Sequence, residues 1–65
     1  MNTRQEILDH LKEMLKMESQ AHNMYSDLAS SVEAPALKNF LFEIAEEEKH
    51  HAKIVSGLLT ILGKD

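Results

Sequence analysis

The sequence predicts an all-α fold: an antiparallel two-helix hairpin that pairs with further copies of itself to complete a four-helix bundle. Three observations lead there. Apolar residues recur at alternating four- and three-residue spacing through both halves of the chain, and no strand-like alternation occurs. Helix-breaking residues gather at a single place, Ser30-Ser31-Val32-Glu33-Ala34-Pro35. Finally, 65 residues arranged as two helices bury too little apolar surface to stand alone.

The first helix is expected over about residues 3–31. Thr3 and Glu6 form a T-x-x-E capping box at its start, and good helix formers follow without interruption. Residues 32–34 make the turn. Pro35 suits the first turn of a second helix, where its missing N–H costs little. That helix should run over 35–62, with Gly63 as its C-terminal stop. The whole of 1–65 thus reads as one unit, without low-complexity segments or a second domain.

A short turn makes the helices antiparallel neighbours. The expected seam of the first helix is Ile7, Leu11, Met14, Glu18, Ala21, Tyr25, Leu28 and Val32. Leu37, Leu41, Ile44, Glu48, His51, Val55, Leu58 and Leu62 form that of the second. Folding the chain at residue 33 sets Leu28 against Leu37, Tyr25 against Leu41, Ala21 against Ile44, Glu18 against Glu48, Met14 against His51, Leu11 against Val55 and Ile7 against Leu58. The numbers of every pair add to 65 or 66. A second stripe of Leu8, Leu15 and Ala29 on one helix, and Phe40, Ile54 and Ile61 on the other, is left for self-association.

Composition excludes several functions. Eleven acidic against seven basic residues leave a formal charge of −4, which does not suit a nucleic-acid partner. No apolar run is long enough to cross a membrane, and no basic-then-apolar leader opens the chain. With no cysteine there is no disulfide framework, zinc ribbon or redox CxxC, and a cytoplasmic location is expected.

Glu18, Glu48 and His51 interrupt the apolar seam at one level, roughly 22–27 Å from the turn. Facing carboxylates repel each other and cost several kcal/mol when buried unpaired, and the expected seam offers no Lys or Arg against them. A two-fold axis at mid-height would gather two copies of each residue. Four carboxylates and two divalent cations then balance in charge. Carboxylate oxygens with imidazole suit iron or manganese, and zinc by affinity. Glu48-x-x-His51 presents two ligands from one helix face. Glu47 and His50 have the same spacing but point to the flank, and Glu46 and Glu47 read as a solvated charge run. His10 and His50 read as surface residues; His22, one turn after Glu18, is within reach of a metal there but reads first as exposed or packed at a subunit contact. Met14, Met17 and Met24 read as adaptable packing rather than redox sites. Tyr25 is either a packed aromatic or a hydrogen-bond donor near the carboxylates.

Two glutamates plus two E-x-x-H motifs on four helices is the ligand set of ferritin-like di-iron carboxylate proteins. The stretch Glu18-Ser-Gln-Ala-His-Asn-Met-Tyr25-Ser-Asp-Leu-Ala29 resembles the first metal helix of rubrerythrin-type ferritin-like proteins. Ile44-Ala-Glu-Glu-Glu48-Lys-His-His51-Ala52 resembles their E-x-x-H helix, and the similarity spans about residues 11–62. With only half of the usual four helices, the chain also resembles the encapsulated ferritins, whose two-helix subunits build the iron site between chains. Met17 and Gln20 stand where that branch's additional acidic iron site would want carboxylates, and no shell-targeting tail follows Gly63. The rubredoxin-like cysteines of full rubrerythrins are missing.

The resemblance implies metal ligation by Glu18, Glu48 and His51 from each of two chains, with Tyr25 beside them. It implies two iron ions per pair of chains, with manganese or zinc as other fitting metals. It also implies Fe(II) oxidation, iron storage or detoxification, a homo-oligomer, and an encapsulating shell protein as a further partner. The rival reading is a non-catalytic dimerising hairpin, or a zinc-binding interaction module, whose Glu/His cluster fixes register.

Overall fold

A computed structural model describes residues 3–64; residues 1, 2 and 65, counted above in the single unit, lie outside it. Two helices account for nearly all of it: α1 over Arg4–Ser31 and α2 over Pro35–Lys64. They pack against each other as a rod with Cα extents of 47 × 15 × 15 Å, and no strand occurs among the described residues.

Local chemistry sets the helix boundaries. Thr3 is the extended N-cap of α1, and its hydroxyl accepts from the Glu6 N–H at 3.2 Å. The Glu6 carboxylate reciprocates by accepting from the Thr3 N–H at 3.2 Å, which completes the capping box. At the other end Ser30 and Ser31 turn their hydroxyls back onto the carbonyls of Ser26 and Leu28, the second of which the last turn leaves free. Val32 then goes extended at φ −95°, ψ 149°, and Pro35 disfavours helix at the residue before it. The Lys38 N–H donates to the Ala34 carbonyl at 2.9 Å and so opens α2.

The end of α2 differs from expectation. Helix continues through Gly63 to Lys64, and no glycine adopts positive φ, so Gly63 does not act as a stop. The Arg4 guanidinium reaches across from α1 and donates to the Leu62 carbonyl. That bond satisfies a terminal acceptor and sets a positive charge at the negative end of the helix dipole.

The seam between the helices also differs at six of its sixteen positions. Leu11, Leu41 and Val55 are buried as expected, and Glu18, Tyr25, Val32, Glu48 and Leu62 of the same rows are half-buried. The other expected row turns away from the partner helix. Ile7, Met14, Leu28, Leu37, His51 and Leu58 are exposed, and Ala21 and Ile44 are half-buried. At every one of these positions but Ala21 the residue after it is the more buried of the two. Leu8, Leu15, His22, Lys38, Ala52 and Leu59 are half-buried, while Ala29 and Ala45 are fully buried. The physical reason is that both flanks of the shared row are mostly apolar, and a heptad pattern does not say which flank the neighbour in the same chain will cover. Leu8, Leu15 and Ala29 are therefore part of the inner seam rather than a stripe for self-association. Phe40, Ile54 and Ile61 do lie exposed. The register lies close to the expected one: Arg4 meets Leu62, a pair that adds to 66, and His22 meets Ala45, which adds to 67 and lies one residue beyond it.

Candidate metal centre

Glu18 lies near the middle of α1 and Glu48 near the middle of α2, so folding at residue 33 sets them at one height. His51 follows Glu48 by almost one helical turn and projects from the adjacent part of the same face. The structure brings these three together. One ligand atom from each lies within 4.8 Å of the other two. His51 Nδ1 stands 3.5 Å from Glu18 Oε2 and 3.8 Å from Glu48 Oε1. No other group of three such donors occurs among the described residues. His51 belongs to the outward row, and its side chain keeps 53% of its exposure, against 24% for Glu18 and 23% for Glu48. One hairpin therefore forms the floor of the cluster and leaves its open side toward the exposed apolar row.

The electrostatics of this floor are unfavourable without a cation. Glu18 Oε2 is buried and has no hydrogen-bond partner. Its ion-pair partner is His51, and no lysine or arginine joins the cluster among the described residues. Lys38 is half-buried in the seam, but ten residues from Glu48 it sits about 15 Å further along the helix. The Glu48 carboxyl is pushed above its ordinary value, first by the hydrogen bond it shares with Glu18. Burial and the negative charge of Glu18 add to the effect, and His51 partly opposes it. The Glu48 carboxylate is thus disfavoured beside Glu18, and a cation would offset both. A buried oxygen without a partner, a second carboxylate and an imidazole within 5 Å suit a hard-to-borderline divalent ion.

The remaining candidates separate clearly. Tyr25 is half-buried on the row of Glu18, two turns toward the hairpin turn, and is not one of the three converging donors. His10 and His50 are exposed, as are Glu46, Glu47, Met14, Met17 and Met24. His22 is neither exposed nor a member of the cluster. It is half-buried, and its Nδ1–H donates to the Ala45 main-chain carbonyl at 2.7 Å. A carbonyl only accepts, so the bond itself assigns the proton to Nδ1.

The rubrerythrin family model matches residues 9–65. The chain belongs to the rubrerythrin family. That membership places it in the ferritin-like di-iron superfamily and agrees with a Glu/Glu/His cluster on paired helices. No curated protein and no solved structure matches the chain. Rubrerythrin-family proteins generally bind iron, and this cluster is where the chain's donor chemistry fits it. No helix among the described residues is long and apolar enough to cross a membrane.

Proposed function

We propose that this rubrerythrin-family protein is a di-iron protein that oxidises Fe(II), in the service of iron storage or detoxification, with the metal site formed between two chains. The observation that carries the reading is Glu18 Oε2, buried without a hydrogen-bond partner beside a second carboxylate whose pKa it raises. Divalent cations would offset both carboxylates and give that oxygen a ligating partner. One hairpin supplies only two carboxylates and one imidazole, half the ligand set of the superfamily.

The second half comes from a second copy. Ile7, Met14, Leu28, Leu37 and Leu58 are exposed along the face that also carries His51. A two-fold axis across the middle of that face covers those side chains and sets the two Glu18/Glu48/His51 floors against each other. In that arrangement four carboxylates offset two divalent ions, and their anionic oxygens favour the ferric over the ferrous state. Glu18, Glu48 and His51 would hold the ions, with the carboxylates able to serve both and the imidazole oriented through its other ring nitrogen. The Tyr25 hydroxyl donates to the carboxylates from the turn side. Bound iron supplies one-electron chemistry, each Fe(II) giving one electron to dioxygen or peroxide. An encapsulating shell protein that receives the oxidised iron, and a cytoplasmic location, complete the proposal.

Titration with Fe(II) under air tests it. Ferric absorbance should saturate near one iron per chain, and Glu18→Ala should lose the reaction. Unchanged iron oxidation and uptake by Glu18→Ala would refute the assignment.

A further inference from the structure

His22 is the one histidine whose environment the metal centre does not explain. Its ring is half-buried between the helices, and Nδ1–H donates to the Ala45 carbonyl of α2 at 2.7 Å. Among the described residues this bond is one of two interhelical hydrogen bonds from a side chain to the main chain; the other, Arg4 to Leu62, lies at the open end. It is also placed next to the cluster on both strands of the hairpin. Glu18 is one turn before His22 on α1, and Glu48 is three residues after Ala45 on α2. Ala45 is almost fully buried, and its small side chain lets an imidazole reach the main chain behind it.

We propose that His22 is a positioning residue for the metal centre: its bond to the Ala45 carbonyl fixes the axial register of α1 on α2 at the height where the Glu18 and Glu48 oxygens must converge. The need for such a pin follows from the seam. Leu8, Leu11, Leu15, Leu41, Val55 and Leu59 can slide past one another by an ångström with little loss, because apolar contact is not directional. A ligand set cannot tolerate that shift, since metal–oxygen distances hold to a few tenths of an ångström. A hydrogen bond at 2.7 Å is directional and breaks over the same displacement. This role rests on the Glu18/Glu48/His51 cluster being a metal site, and it adds a residue that touches neither metal nor ligand.

Two measurements test it. In the metal-free protein at pH about 9, where histidine rings are neutral, nitrogen NMR should find His22 as the Nδ1–H tautomer. Exposed His10 and His50 should show the Nε2–H form that free imidazole side chains favour. Co(II) binding followed by visible absorbance then compares three proteins. His22→Phe keeps a ring without a donor and should bind Co(II) about tenfold more weakly, with unchanged helix content and oligomer mass. His22→Asn places an amide N–H at the position of Nδ1 and should recover most of the affinity. Equal Co(II) affinity in the parent and His22→Phe overturns the role, as does an equal loss in His22→Asn, or an Nε2–H tautomer at His22. A parent protein that takes up no Co(II) overturns the metal-centre reading and the positioning role with it. The tautomer, read without metal, still reports whether the bond exists.

Discussion

At the scale of single residues the account rests on two carboxylates forced together. Glu48 holds its proton to higher pH in the folded chain than in the unfolded one. A group raised in this way contributes stability that is complete below its ordinary value of 4.5 and is lost as pH rises through the raised value. Glutamine mimics the protonated form at every pH. Metal-free Glu48→Gln should therefore melt at a higher temperature than the parent at pH 8, and the difference should close toward pH 4. Parallel melting profiles for the two proteins would show that the pair carries no such penalty. Metal reverses the sign for the parent, because cations bind the deprotonated pair, and Glu48→Gln forfeits that gain.

At the scale of the helix pair, ends and seam contribute separately. The capping box at Thr3 satisfies two N–H groups that α1 otherwise leaves open. Thr3→Ala should cost about 1 kcal/mol in urea unfolding with no effect on metal affinity. Ala29 is completely buried, so Ala29→Leu overfills the seam and should cost about 1–3 kcal/mol. Much of this level was legible in the sequence. Both helices, the break at residues 32–34, the capping box and the register all follow from spacing and cap chemistry. The convergence of Glu18, Glu48 and His51 follows from the same register. Three features did not. Ile7 and Leu8, Met14 and Leu15, and Leu28 and Ala29 are apolar neighbours, so periodicity alone leaves open which of each pair faces the other helix. Gly63 carries a stop signal, yet α2 runs past it where Arg4 holds the Leu62 carbonyl. His22 gives no pattern at all, because its partner is a main-chain carbonyl.

For the whole molecule the exposed row decides the matter. The 65-residue hairpin leaves Ile7, Met14, Leu28, Leu37 and Leu58 exposed, and the proposed second copy covers them. Its melting temperature should rise with protein concentration, since association stabilises only the folded chain. The double variant Leu28→Lys with Leu58→Lys puts charges on that row at both ends of the rod. It should sediment as a monomer with reduced helix content and lose metal binding together with the dimer, although Glu18, Glu48 and His51 are untouched. Metal binding that persists in the monomer would place the complete site within one chain.

Native mass spectrometry of the protein loaded anaerobically with Fe(II) tests this most directly. The carboxylates of two chains meeting around shared ions predict a species of two chains carrying two irons, absent from Glu18→Ala. A single chain holding its own iron, or paired chains that hold none, would contradict it.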